Sequence, residues 1–437
     1  MVESDPRRLT PRVDSVLMNP RVAQLTSILG DRFVRHVVLD VLEVCRRGEL
    51  DPDQVVDEVV FRLPTAPTGL KRVINATGIL IHTNLGRAPL SQAAIDAVAL
   101  ASSTTDLEFD LATGMRASRG TSALDALSRA VPPAEAVHVV NNGAAALTLV
   151  AAGLARGREV VVARGELIEI GDSFRIKSML EAAGTQVREV GAANRVHLRD
   201  YQEALNQRTG LVLKVHPSNF ATTGFTKSVS TRELTTLDVP VVVDIGSGLL
   251  NPHPLLPNEP DATSTLGEGA DVVLASGDKL LGGPQCGLVL GRRVLIDRLR
   301  RDPLARALRV GKMTLAALEA TIDGPPSPVA TALRLTQAEV LERAHAIVGQ
   351  LSHDIDSGVI DTVARIGGGG APEVSLKSAA VRLSEPMAAP LRTGRPTPVV
   401  GYLRQGHLLL DLLTVAPQDD EEVLKSILGA HRQLSNR

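Results

Sequence analysis

The stretch "SGDKLLGGPQCG", residues 276–287, follows an apolar run, "DVVLA" (271–275), that has the composition of a buried strand. An Asp and a Lys stand side by side at the end of that strand, an apolar pair comes next, and a glycine-rich turn closes the segment. Small residues on both sides place the lysine inside a tight turn at a sheet edge. Two other strand-like runs end in comparable chemistry. "AVHVV" (136–140) runs into Asn141, Asn142 and Gly143, which open an Ala-rich helix, and "VPVVVD" (239–244) ends in Asp244 followed by "IGSG".

Working outward, residues from about 70 to 325 alternate between apolar runs ("AVHVV", "EVVVA", "LVLKV", "VPVVVD", "DVVLA") and helical segments such as "DSFRIKSMLEAAG" and "STRELTTL". Buried strands joined by crossover helices predict an α/β domain whose sheet is mostly parallel and covered on both faces. Ligands in such sheets bind beyond the carboxyl ends of the strands, so one edge is expected to gather all three chemical elements. Residues before the Pro/Gly-rich "RLPTAPTG" (62–69) carry apolar positions at helical spacing, and "DGPPSPVA" (323–330) breaks the chain again. Beyond it come a long helix-like stretch, "ATALRLTQAEVLERAHAIVGQL", a four-glycine run at 367–370 that reads as a flexible turn, and short strands such as "HLLLDLLTV". The expected division is a helical N-terminal domain (1–68), a large α/β domain (69–328) and a small α+β C-terminal domain (329–437).

Each element has a bland reading when taken alone: a turn, a capping Asp, a solvated lysine. Their order on successive strand ends argues for one site. The helix opened by Asn141, Asn142 and Gly143 offers free N–H groups and a positive dipole end to a phosphate. Asp244 can keep a ring nitrogen protonated. Lys279 can form a Schiff base, with Asp278 beside it as a proton carrier and Ser276 adding a hydroxyl to the phosphate. A phosphate cradle, an acidic partner for a pyridinium and a Schiff-base lysine are what pyridoxal 5′-phosphate (PLP) requires.

Composition narrows the classes. A formal net charge of −2 gives no global attraction to nucleic acid or anionic membranes. Cys45 and Cys286 are the only cysteines, which excludes a disulfide framework and a Cys-rich zinc site, and no metal site is expected. Cys286 lies between "GGPQ" and the strand-like "GLVLG" and is expected to be packed, not reactive. The opening residues lack the apolar core of a signal peptide, and the longest apolar run (144–155) is too short to span a bilayer, so a cytoplasmic protein without membrane contact is expected. Aromatics are only 2 %, so a cofactor ring has few partners to stack on, and His82 or His216, each after a strand-like run, can serve. Asn75, Thr83 and Asn84 read as residues that satisfy backbone groups in a connector.

At these positions the chain resembles the bacterial L-seryl-tRNA(Sec) selenium transferases (selenocysteine synthases). The resemblance runs through "VINATGILIHTNLGRAPLS" (73–91), "VNNGAAALTLV" (140–150), "ARGELIEIGDSFRI" (163–176), "KVHPSNFATTGFT" (214–226), "VVVDIGSG" (241–248) and "SGDKLLGGPQCG". It implies a PLP-dependent enzyme of the aspartate-aminotransferase-like fold (fold type I), with Lys279 as the Schiff-base lysine. It also implies a homo-oligomer built from dimers, in this family a ring. The implied reaction converts seryl-tRNA(Sec) to selenocysteinyl-tRNA(Sec): Lys279 removes the α-proton, the serine hydroxyl leaves to give an aminoacrylyl ester, and selenium delivered as selenophosphate adds.

Selenophosphate needs fixed cations. "PLARALRVGK" (303–312) carries Arg306 and Arg309, which at a three-residue spacing would share a helix face, and "NLGRAP" carries Arg87. A solvated basic face is the alternative for the first two; the family pattern puts arginines at all three. Leu413, in "LLLDLLTV", stands where an arginine for a substrate carboxylate is expected, with Arg392, Arg395 and Arg404 nearby. That departure suits an aminoacyl ester, whose carboxylate is already bonded to RNA. Between Arg7 and Arg47 the chain has eight arginines (7, 8, 12, 21, 32, 35, 46, 47) against four acids, a modest basic surface that suits either a phosphate backbone or a solvated docking bundle; the family reading favours tRNA. The rival reading is a PLP-dependent lyase or aldolase on a free small amino acid. A non-catalytic RNA-binding protein on the same fold would be colourless and indifferent to loss of Lys279.

Overall fold

The computed structural model of the chain describes residues 9–64, 66–170, 174–218, 220, 224–394 and 397–435. Contacts divide it into two units, Met1–Val73 and Ile74–Arg437.

The first unit is helical: Val13–Leu17, Pro20–Leu29, Asp31–Arg46 and Val55–Arg62. Asn19 caps the second helix by accepting the Arg21 N–H, with Pro20 at the first helical position, and Gly30 at φ 86° separates it from the third. Val34, Val38, Val41, Leu42 and Cys45 repeat at helical spacing and pack with Val22, Leu29, Val55 and Val59 into a separate core. Much of the basic surface counted from the sequence is paired within the unit. Arg21 meets Asp57, Arg35 meets Asp31 and Asp14, Arg46 meets Glu43, and Arg47 meets Glu49. Arg7 and Arg8 lie outside the described residues.

The second unit is organised on a seven-stranded sheet: β1 (Ala136–Val140), β2 (Glu159–Ala163), β3 (Gln186–Val190), β4 (Thr209–Val215), β5 (Val241–Asp244), β6 (Val272–Ser276) and β7 (Gly287–Gly291). The spatial order is β1-β7-β6-β5-β4-β2-β3, and only β7 runs antiparallel to its neighbours. Val- and Leu-rich β2, β6 and β7 are buried along their whole length, as a sheet covered on both faces demands. The edge strand β3, "QVREV", alternates exposed and covered residues, so it carries no apolar run for a sequence reading to find. The Ala-rich helix Gly143–Ala155 is buried almost throughout against this sheet. Parallel β1, β4, β5 and β6 bring Val140, Val215, Asp244 and Ser276 to one edge.

A second sheet of five strands runs Tyr402–Arg404, His407–Asp411, Ser375–Ser384, Ser357–Gly367 and Ile79–Ile81. Its last strand comes from the connector "NATGIL": Ile79 and Ile81 pair in parallel with Arg365 and Gly367, and Ile74–Asn75 pair with Val399–Val400. Residues 74–81, assigned from sequence to the large domain, thus hydrogen-bond with the C-terminal sheet. Asn75 satisfies this connector as expected, donating to the Ile79 carbonyl and accepting from the N–H and hydroxyl of Thr77. The long helix-like stretch after 329 is two helices, Pro328–Ala332 and Gln337–Val348. Thr336 and Glu339 form a capping box that starts the second, which apolar periodicity does not register.

Asp411 is buried at the end of the strand next to the edge strand Tyr402–Arg404. Its carboxylate accepts the hydroxyls of Thr362 (2.7 Å) and Ser378 (2.6 Å) and the Leu413 N–H (3.2 Å). Burial pushes this carboxyl upward while those three donors pull it back. Replacement by Ala strands three buried donors, so Asp411→Ala should cost about 3 kcal/mol. A urea midpoint well below wild type is the expected outcome, and an unchanged midpoint would show that the network is dispensable.

Candidate active site

At the β1 end, Asn142 caps the helix Gly143–Ala155 with its side chain accepting the Ala145 N–H at 2.8 Å. The first N–H groups of a helix have no partner within it and point outward with the positive end of the dipole. Asn141 is held by its N–H to the Leu308 carbonyl. Ser276, at the end of β6, faces this turn so closely that a Cβ on Gly143 would sit 2.6 Å from its Oγ. Only glycine at 143 leaves a cradle between the helix end and the serine hydroxyl.

Next to β6, β5 ends in Asp244, which accepts the Gly246 N–H at 3.0 Å. Loss of water pushes its carboxyl upward, and Lys279, the Gly246 N–H and His216 oppose that push. His216 follows β4, its N–H bonded to the Asp244 carbonyl, and its Nε2 lies 3.4 Å from Glu259 Oε2. Sequence reasoning passed over Glu259. It lies in the loop "PNEPDA", which carries no periodic signal, yet its side chain is only 1 % exposed. His82, the other candidate ring partner, turns the chain: its carbonyl accepts the N–H groups of Leu85 and Arg87, and its Nδ1 is buried without a partner.

Lys279 sits in the turn between β6 and β7. Burial drives its ammonium down from the ordinary lysine range, Asp244 and Asp278 hold it up, Arg87 pushes the same way as burial, and Glu259 opposes. Asp278 is buried and forms an ion pair with Arg87 at 2.7 Å. Above the lysine lies the four-glycine run. Read from sequence as a flexible turn, it is packed on the site. A Cβ on Gly369, whose φ is 96°, would lie 2.5 Å from Lys279 Cδ and Cε and 2.8 Å from Nζ, and a Cβ on Gly370 would meet Leu280 at 2.9 Å. Gly369→Ala therefore collides with Lys279 and strains the backbone. It should lower turnover on the order of 10²-fold, with the thermal midpoint little changed; a variant of normal activity would show that the loop is not closed on Lys279 in the working enzyme.

The arginines divide. Arg87 lines a cavity of about 470 Å³ together with Asp278, Thr83 and Gln285. Arg306 and Arg309 do not share a helix face: the helix is Pro303–Ala307, and Arg309 lies beyond it in a bridge to Val140, next to the Asn141 turn. Asp302 caps a helix too short to reach Arg309. Both arginines are exposed, and Arg309 faces Glu108 at 3.9 Å. A larger cavity of about 870 Å³ opens beside His216 and Glu259, with Glu166, Arg195, Lys214 and Lys227 in its walls. Cys286 is fully buried, its thiol pushed up to about 12 by burial, which agrees with a packed side chain. Leu413 is sunk in the C-terminal core. Arg392 and Arg404 are exposed, and Arg395 lies outside the described residues. Among the described residues no cluster of His, Cys, Asp or Glu could hold a metal ion, and no helix is long and apolar enough to cross a membrane.

Residues 73–416 match the family SelA, L-seryl-tRNA selenium transferase. The chain is 43 % identical to the L-seryl-tRNA(Sec) selenium transferase of Nitratidesulfovibrio vulgaris, over 89 % of this chain and 90 % of the other. It is 38 % identical to that of Geotalea daltonii, over 96 % and 98 %. A solved D-glucosaminate-6-phosphate ammonia-lyase is similar in fold, with TM-score 0.58 and 20 % identity, covering 82 % of this chain and 95 % of the lyase. The mixed α/β architecture, with its mostly parallel central sheet, is that of fold type I, as the resemblance in the sequence implied.

Proposed function

The chain belongs to the L-seryl-tRNA selenium transferase family, and from that premise we propose that it is a PLP-dependent enzyme converting L-seryl-tRNA(Sec) to L-selenocysteinyl-tRNA(Sec) with selenophosphate as donor. One observation carries the reading: the helix end at Gly143, the Asp244 carboxylate and the Lys279 amine converge on one sheet edge, with a cradle at Gly143 that a single Cβ would fill.

That cradle fits a phosphate, bound by the outward N–H groups of the helix and the Ser276 hydroxyl, with Asn141, Asn142 and Gly143 shaping the turn. Asp244 is placed to hold a proton on the pyridine nitrogen, and His216, beside it, to cover the ring. PLP, when bound, supplies an electron sink for the carbanion formed at the substrate Cα. Lys279, whose ammonium burial destabilises, is the group that takes the Cα proton and holds it over the leaving hydroxyl. Loss of that hydroxyl with a proton releases water; the selenium of selenophosphate then bonds to the β-carbon as a proton returns to Cα, and water cleaves the Se–P bond to leave phosphate.

Arg87, Arg306 and Arg309 are assigned to the donor. Arg87 and Arg309 are each held by a carboxylate, Asp278 and Glu108, which a phosphate-like anion would displace. As Arg87 turns to the donor, Asp278 is freed beside Lys279 as an auxiliary acid–base group. The first helical unit binds tRNA, trading its exposed internal ion pairs for phosphates. The working form is a cytoplasmic homo-oligomer built from dimers.

Purified protein given seryl-tRNA(Sec) should eliminate water from the seryl group without donor and form selenocysteinyl-tRNA with selenophosphate. A coloured, cofactor-loaded protein that does neither would point to the free-amino-acid lyase instead.

A further inference from the structure

We propose that Glu259 is a positioning residue: one of its carboxylate oxygens fastens the glycine loop over Lys279 and fixes the imidazole of His216. Glu259 Oε2 accepts the Ala371 N–H at 2.7 Å and lies 3.4 Å from His216 Nε2. Ala371 ends the glycine run and has φ 43°, a region that a residue with a Cβ enters only when held there. Apart from this bond, the loop backbone is tied by Gly368 N–H to the Ile81 carbonyl and Val374 N–H to the Ala371 carbonyl. His216 in turn donates its N–H to the Asp244 carbonyl. A single carboxylate thus joins the end of β4, the loop after β5 and the loop of the second sheet that lies on the lysine.

Packing alone does not call for a carboxylate here. Among the described residues Glu259 Oε1 is buried with no hydrogen-bond partner, an arrangement that is costly for a charged group. What glutamine lacks is the charge. The groups acting on Lys279 are Asp244, Asp278 and Glu259 on the negative side and Arg87 on the positive side. Glu259 therefore does two separable things: its oxygen holds the loop whose Gly369 lies against Lys279, and its charge, at the anchor of that loop, favours the protonated form of the nitrogen at 279.

This deepens the assignment of a PLP site and rests on it only for the second property. The test uses full-length, cofactor-loaded protein with Glu259→Ala and Glu259→Gln. Hydrogen exchange of the amides in 367–374 should rise about tenfold or more in Glu259→Ala and stay near wild type in Glu259→Gln, which keeps an acceptor oxygen. The pH midpoint of the visible absorbance should fall in both, by about half a unit or more, because a negative charge beside a cationic nitrogen is gone. A merely structural residue would not separate the two readouts. Unchanged exchange in Glu259→Ala, or an unmoved midpoint in both variants, overturns the proposal. If Glu259→Ala does not fold, Glu259→Gln decides alone: protected amides with a lowered midpoint support it, and anything else overturns it. Colourless protein that still loses loop protection in Glu259→Ala would refute the cofactor site while upholding the fastening.

Discussion

Lys279→Ala should abolish turnover of seryl-tRNA by at least about 10⁴-fold, since it removes both the attachment point and the base that takes the Cα proton. The rest of the site is built by other elements. The helix cap at Asn142, the Ser276 hydroxyl and the hydrogen bond from Gly246 to Asp244 do not involve the lysine side chain. The variant should therefore fold and hold cofactor without a covalent link, and it should keep wild-type affinity for tRNA in a filter-binding assay. Loss of activity together with retained RNA binding is the outcome that separates chemistry from misfolding. An active Lys279→Ala enzyme would return the family reading to a non-catalytic protein.

Asp244→Asn should be the second-largest effect, a fall in kcat on the order of 10³-fold. In the folded chain, burial pushes this carboxyl toward its protonated form, and the cationic Lys279 is the largest opposing influence. A cationic ring nitrogen against the same oxygen would oppose burial further and keep the pair ionic. Asparagine keeps the shape and the bond to Gly246 but cannot hold a proton on the ring nitrogen, so the electron sink weakens while cofactor binding persists. Single-turnover elimination of water from seryl-tRNA is the measurement. A variant within threefold of wild type would mean that the ring is not held charged by this residue.

The three chemical elements were legible in the sequence because each stands at the end of an apolar run, and buried parallel strands declare themselves by composition. β1, β2, β4, β5 and β6 announce themselves in this way; the polar edge strand β3 does not. The functions of the glycine run and Glu259 were hidden for a different reason. Gly369 meets Lys279, 90 residues earlier, through a loop of the second sheet, and that sheet's edge strand, Ile79–Ile81, pairs with residues nearly 290 positions away. Neither local propensity nor periodicity encodes such pairings. A run of four glycines reads as slack unless the object it must approach is known. Arg309 failed the helix-face expectation because Pro303–Ala307 ends before reaching it and the chain straightens to bridge Val140. The straightened chain sets Arg309 beside the Asn141 turn.

The central assertion is that a cofactor aldehyde is bonded to the amine at 279. Borohydride reduction of the purified coloured protein, followed by protease digestion and mass spectrometry, tests it directly. One reduced pyridoxyl group per chain, on the peptide that carries Lys279, is the result expected. A label on another lysine, such as Lys214 in β4, or no label on a coloured protein, would contradict the account.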